Sequence, residues 1–234
     1  MTNVLEVTEI HTNIGQFHIL EGVSLEVPVG SITALLGRNG AGKTTSLKSI
    51  LGLTPPSKGS ISFNGVEIQG QPTHQIAGKG IGYVPEYRAI FRDLSVEENL
   101  KIAERKKGDL AQRADFIFGI FPDLKRLIKL PGGNLSGGQQ QMLAIARALV
   151  PENRLLLIDE PSEGLAPVII EQVMDAVRQL SAHTTVLLVE QNFVMASQLA
   201  DRYTIIEAGK SVKSGLMADL MDDQETIRRY LGAA

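Results

Sequence analysis

Three short stretches carry side chains whose types and spacing could do chemistry. The first is GRNGAGKTT, Gly37 to Thr45, which satisfies the pattern GxxxxGK[ST]. It follows an apolar run, SITALLG, that reads as a strand, and it opens a stretch, TTSLKSILGL, that reads as a helix. In that setting Gly37, Gly40 and Gly42, with Arg38, Asn39, Ala41 and Thr45 between and after them, let backbone N–H groups wrap a phosphate chain. Lys43 supplies a point charge to the β- and γ-phosphates, and the Thr44 hydroxyl can ligate Mg²⁺. The second stretch is RLLLIDEP, an apolar strand that ends abruptly in two carboxylates. Asp159 is suited to hold Mg²⁺, usually through water, and Glu160 to polarise the water that attacks a γ-phosphate. Adjacent acids at a strand end are often only solvated turn residues. Beside a phosphate loop the chemical reading prevails.

The third stretch is LSGGQQQMLAIARAL, Leu135 to Leu149. Met142, Ile145, Ala146 and Leu149 recur at helical spacing, and Ser136 followed by Gln139 makes a capping box at the start. Gly137 and Gly138 are then unexpected, because each glycine in a helix costs about 0.5 to 1 kcal/mol relative to alanine. Two explanations stand. Either a neighbouring element packs tightly against the glycines, or bare N–H groups at the helix start form an anion site that a phosphate can approach.

These residues need a frame to position them. The first third of the chain is strand-rich: VLEVTEI, FHILEGVSLEV, SITALLG, then SISF and VEI joined by Asn64-Gly65, a hairpin turn signal. From about Leu94 to Val150 the pattern turns helical, with Ser95 and Glu98 forming a second capping box. Strands return at RLLLI and TTVLLV, separated by the helical PVIIEQVMDAVRQL. Apolar runs alternating with helices indicate parallel strands covered on both faces. The expected fold is therefore α/β: a P-loop NTPase core of mainly parallel strands, an N-terminal antiparallel β subdomain and an inserted helical subdomain. The expected boundaries are 1–86 and 153–234 for the core and 87–152 for the helical subdomain.

Composition removes several alternatives. With 234 residues, 43% of them hydrophobic, the chain can bury one large core or split into two lobes. A net charge of -3 advertises no nucleic-acid partner, and the absence of cysteine removes disulfides, thiolate metal sites and cysteine nucleophiles. The start, MTNVLEVTEI, lacks the pattern of a signal peptide, and no apolar run approaches the roughly 18 residues needed to cross a bilayer. A cytoplasmic chain is expected, with any membrane spanning left to another. The four histidines have no metal-like spacing, and ERKKGD reads as a solvated helix end.

Taken together, GRNGAGKTT, LSGGQ and LLLIDEP resemble the ATPase subunit of ATP-binding-cassette (ABC) transporters, over essentially the whole chain. The resemblance implies ATP and Mg²⁺ as cofactors. It also implies head-to-tail pairing with a second ATPase subunit, itself or a related chain, in which Leu135, Ser136, Gly137, Gly138 and Gln139 of one copy cap the ATP on the phosphate loop of the other. Membrane permease subunits, and through them a solute-binding protein, are the implied partners, with the chain peripheral on the inner face of the membrane. A soluble ABC ATPase uncoupled from transport would carry a coiled-coil insertion or tandem cassettes, and neither is present.

Departures from the common family pattern point to a branch. Glu86, in GYVPEYR, stands where a glutamine is usual; Gln191, in VEQN, replaces a switch histidine; and Ala166, in SEGLAP, replaces an aspartate. These features resemble the ATPases of importers for branched-chain and hydrophobic amino acids, with urea and short amides as the alternative cargo. Ile14 stands where an aromatic residue normally stacks on adenine, with Phe17 as a possible substitute. In EYRAIFRDLSVEENL, Ile90, Phe91 and Leu94 follow Glu86 where the family contacts its membrane subunit, though core packing accounts for them equally well.

Overall fold

A computed structural model describes residues 2–232. The chain runs β1 (Asn3–Ile14), β2 (Phe17–Pro28), β3 (Ile32–Leu36), α1 (Lys43–Ile50), β4 (Lys58–Phe63), β5 (Val66–Glu67), α2 (Thr73–Gly78) and β6 (Ile81–Val84). It continues through α3 (Val96–Lys101), α4 (Asp109–Ile120), α5 (Pro122–Arg126), α6 (Gly137–Leu149), β7 (Leu155–Asp159), α7 (Pro167–Ser181), β8 (Thr185–Glu190) and α8 (Phe193–Leu199). It ends with β9 (Arg202–Glu207), β10 (Lys210–Leu216), α9 (Met217–Asp222), a short α10 (Gln224–Thr226) and a π-turn over Ile227–Leu231. These elements form two compact units, residues 1–79 with 185–234, and residues 80–184.

The first unit holds two sheets. One is antiparallel, in the order β2-β1-β4-β5, and closes through the Asn64-Gly65 turn, whose two residues both take positive φ (51° and 74°) as a type I′ hairpin requires. β1 bulges at Glu9 (φ 47°), and Gly59 faces the bulge because a Cβ there would stand 2.4 Å from Glu9 O. The other sheet runs β10-β9-β3-β8, with β3 parallel to both β8 and β9. Every residue of β3 and of β8 is buried, which explains why their sequences are unbroken apolar runs rather than alternations. The two sheets are tied by Ser211, whose hydroxyl accepts from Ser24 N (2.9 Å) and donates to Ser24 O (2.6 Å).

In the second unit, parallel β6 and β7 are joined by helices, and all five residues of β7 are buried. The helical stretch is held at its entry by Asn99, fully buried on α3. Its Nδ2 donates to Phe91 O (2.9 Å), Leu94 O (3.0 Å) and Ser95 O (3.0 Å), while Oδ1 accepts from Phe91 N (2.9 Å). Both capping boxes expected from the sequence form, Ser95 with Glu98 and Ser136 with Gln139. Because removing the Asn99 amide strands several buried backbone groups, Asn99→Ala should destabilise the protein by about 3 kcal/mol in urea unfolding; a loss below about 1 kcal/mol would mean that water replaces the side chain.

Candidate functional site

The phosphate loop leaves the buried end of β3 and enters α1. Gly37 (φ 153°), Gly40 (φ 78°) and Gly42 (φ 109°) all take positive φ, where L side chains are strained. Space decides differently at each. A Cβ on Gly37 would lie 2.3 Å from Ile206 O and one on Gly42 2.7 Å from Leu20 Cδ2, whereas one on Gly40 would meet nothing within 4 Å. α1 starts at Lys43 with no side-chain cap, so its first N–H groups have no side-chain acceptor from Gly42. Lys43 is buried, and Nζ donates to Gly37 O (3.0 Å) and Arg38 O (3.3 Å). Thr44 and Thr45 are half-buried on the first turn, while Arg38, Asn39 and Gly40 are exposed. A glycine-lined loop, an open Gly40 and a lysine at a helix N-terminus fit a polyphosphate.

The same unit contains features the sequence reading missed. The C-terminal π-turn meets the loop: Arg38 Nη2 donates to Arg229 O (3.3 Å), and Tyr230 lines a cavity of about 250 Å³ with Arg38–Ala41 and Ile206–Ala208. Glu190 is buried at the end of β8 and pairs in register with Leu36, directly before the phosphate loop. The apolar strand ending in Glu190 was visible in VLLVEQN, but only the register reveals what lies beside it. Gln191 follows, exposed, ahead of the α8 cap in which Asn192 accepts from Met195 N. Ile14 and Phe17 face each other across the β1–β2 turn, 48% and 64% exposed, an apolar pair open to a flat ring.

In the second unit, β7 delivers Asp159 with no exposed surface, its carboxylate accepting from the Tyr83 hydroxyl (3.3 Å). Burial, and then the Asp159 charge, pushes the Tyr83 phenol well above its ordinary range. Glu160 follows at φ 43°, a left-handed conformation that turns the chain sharply out of the strand. A buried carboxylate suits a hard divalent cation, so the chemistry of Asp159 fits Mg²⁺. Glu86 is exposed, and its interaction with the neighbouring Glu163 carboxyl, more than partial burial, raises its own carboxyl above the usual range. Both carboxyls line a cavity of about 570 Å³ together with Tyr87, Arg88, Arg92 and Gln140. Phe91 is exposed and Ile90 and Leu94 half-buried, so none of the three belongs to the core.

The two glycines that open α6 have separate causes. Gly138 is buried, and a Cβ there would stand 2.6 Å from Ile169 Cγ2 on α7, so tight packing requires it. Gly137 is exposed; the nearest neighbour of its Cβ position is the end of the flexible Arg88 side chain at 3.2 Å. Ser136, the N-cap, accepts from Gln139 N (3.3 Å) and donates its own N–H to Gln139 Oε1 (2.9 Å), and Leu135 is buried behind it.

Residues 20–163 match the family described as ABC transporter. The chain belongs to that family. As an ABC ATPase it binds ATP and hydrolyses it. A high-affinity branched-chain amino acid transport ATP-binding protein of Pseudomonas aeruginosa, BraG, is 42% identical over 232 residues, covering 98% of this chain and 100% of that protein. A probable branched-chain amino acid transport ATP-binding protein of Archaeoglobus fulgidus, LivF, is 36% identical over 233 residues, covering 98% and 99%. Among solved structures, an ATP-binding cassette of an ABC transporter in its ADP conformation matches with a TM-score of 0.87 at 24% identity, over 97% of this chain and 98% of that one, a likeness of fold. No helix among the described residues is long and apolar enough to cross a membrane.

The contact between Gly138 and α7 yields a double-mutant cycle. Gly138→Ala should cost about 1 to 3 kcal/mol by overpacking and be relieved by Ile169→Ala, whereas Gly137→Ala should leave stability within about 1 kcal/mol of the parent. Equal and additive costs at the two glycines would contradict the assignment, and denaturant titration of the four variants decides it.

Proposed function

We propose that this ABC ATPase powers uptake of branched-chain or hydrophobic amino acids through separate permease subunits. The observation that carries the cargo is the full-length similarity to BraG and LivF, whose names specify branched-chain amino acid transport. Glu86, SEGLAP and VEQN support the same branch. Urea or a short amide remains the competing cargo on the sequence, because HILEGVSLEVP and LLGRNG resemble that subgroup equally.

In this reading the amides of Gly37–Thr45 and Lys43 hold the phosphates of ATP, with Ile14 and Phe17 against the adenine. The Thr44 hydroxyl and the Asp159 carboxylate would hold Mg²⁺, whose charge would offset that of the β- and γ-phosphates. Glu160 accepts a proton from the attacking water, on a backbone that takes a left-handed conformation directly after β7. Gln191 donates a hydrogen bond to the γ-phosphate without titrating near neutrality. Leu135–Gln139 of a second ATPase subunit closes over the same nucleotide, the open N–H of Gly137 and the Ser136 hydroxyl reaching the γ-phosphate. Residues 87–152 form the signature subdomain in this division of labour. Exposed Tyr87 and Phe91, 76% and 45% accessible, support the loop after Glu86 as the permease contact, which keeps the chain peripheral on the cytoplasmic face. A solute-binding protein delivers the cargo to the permease.

Glu160→Gln should retain ATP binding while turnover falls at least about 100-fold, and near-normal turnover in that variant would move the base elsewhere. Gln191→Ala should lower turnover with ATP binding retained; turnover equal to the parent would remove Gln191 from the γ-phosphate. For the cargo, the measurement is a titration of the solute-binding protein encoded beside this chain. Leucine, isoleucine or valine should bind tightly. Urea or acetamide binding alone would select the competing cargo, and a sugar or metal ion bound in their place would overturn both while leaving the ATPase untouched.

A further inference from the structure

The loop between Glu86 and Ser95 is bent in a way the docking role does not require. Arg88 and Ala89 take consecutive left-handed conformations, φ 63° and 50°, with Ala89 N donating to Tyr87 O at 2.7 Å. Non-glycine residues adopt that backbone only where the surroundings over-determine it. Two clamps do so. Arg147 on α6 donates to Ala89 O and lays its guanidinium over the Phe91 ring, 4.9 Å from the centroid, while Asn99 grips Phe91 through both its N–H and its carbonyl. The outcome of this bend is the placement of one side chain. The Arg88 guanidinium stands against Gly137, with Nη1 at 3.2 Å and Cζ at 3.8 Å from the position of a Cβ.

In a helix the Cα–Cβ bond tilts toward the N-terminus, and Gly137 is the first residue of α6. The guanidinium therefore lies at the N-terminal end of the signature helix, where a Cβ on residue 137 would crowd it. Among the described residues it makes no ion pair. The two carboxyls of the adjoining cavity, Glu86 and Glu163, line it together with Arg88 without forming an ion pair with the guanidinium. A planar fork of donors beside the exposed Gly137 that opens α6 is the arrangement that grips a phosphate in two places, which a lysine could not do as well.

We propose that Arg88 is a phosphate-binding residue of the signature, contacting the γ-phosphate of ATP held by a second copy of this chain. The inference rests on the shared-site reading given under Proposed function. It assigns Gly137 a second purpose, the absence of a side chain leaving room for the arginine as well as for the phosphate. It also joins the loop after Glu86 to the nucleotide directly, so that a movement of that loop changes the grip on ATP.

The test uses the isolated full-length chain, without permease, carrying Glu160→Gln so that ATP persists. Light scattering against ATP concentration gives the half-point of dimerisation, and a fluorescent ADP titration gives the affinity of the phosphate loop alone. Adding Arg88→Ala should raise the ATP half-point at least 10-fold with ADP affinity and thermal midpoint unchanged, and Arg88→Lys should recover part of the shift. Gly137→Asp is the control for the underlying reading and should abolish ATP-dependent dimerisation. If Gly137→Asp dimerises like its parent, the shared site fails and the inference falls with it. If Gly137→Asp blocks dimerisation but Arg88→Ala leaves the half-point in place, Arg88 serves only the permease contact and the inference alone is overturned. An equal loss of ADP and ATP binding in Arg88→Ala would likewise overturn it, as a general disturbance of the fold.

Discussion

A buried ammonium constrains the phosphate loop more than any other group. Lys43 sits at the N-terminus of α1, nearly inaccessible, with its Nζ solvated by the carbonyls of Gly37 and Arg38. An ion of this size loses several kcal/mol on leaving water unless dipoles replace its hydration. Those carbonyls can turn inward only if the chain takes left-handed conformations on the way from β3 to α1, which limits three positions to glycine. Neighbours are then fitted to the loop: Ile206 O and Leu20 fill the space that side chains at Gly37 and Gly42 would need, and Gly209 N bonds Ala41 O at 2.9 Å. The hairpin after β9 thus touches the loop through Gly209, and the C-terminal turn touches it through Arg229 O and the Arg38 side chain.

The signature uses similar means for a different task. Its N-cap is satisfied within the helix by Ser136 and Gln139, its second glycine is consumed by packing against Ile169, and only the first residue of the helix faces outward without a side chain. Half of what looked like one anion-binding device is therefore architecture. The remaining open amide is flanked by a clamped loop that also carries the exposed Tyr87 and Phe91. In the proposed reading, nucleotide recognition and permease recognition would share this short segment held by Arg147 and Asn99, which would give ATP a physical route to transport.

What could be read in advance was local chemistry. The phosphate loop, both capping boxes, the Asn64-Gly65 turn and the apolar strands at β3, β7 and β8 declare themselves within a few residues, because each depends on neighbours in sequence. β10 did not, since its KSVKSGL face is largely exposed and lacks an apolar alternation. The approach of Arg229 to Arg38 could not be read either: the acceptor is a backbone carbonyl 191 residues away, and carbonyls leave no trace in composition. Glu190 appeared as one letter of VEQN, and its burial beside the phosphate loop follows from strand register alone. The same holds for Gly138, whose partner lies on another helix.

Two copies closing on one ATP, phosphate loop against signature, would turn nucleotide binding into movement of a permease. The chain contains no cysteine, so single cysteines can be placed without removing any. Asn39 beside the phosphate loop and Asn134 beside the signature are both exposed. The direct measurement mixes Asn39→Cys and Asn134→Cys chains, each carrying Glu160→Gln, and follows cross-linking by a short bis-maleimide. Cross-linked dimer joining the two different variants should form with MgATP and stay at background with MgADP or no nucleotide. Cross-linking that ignores the nucleotide, or that forms only between identical variants, would contradict closure of one copy's signature over the other's ATP.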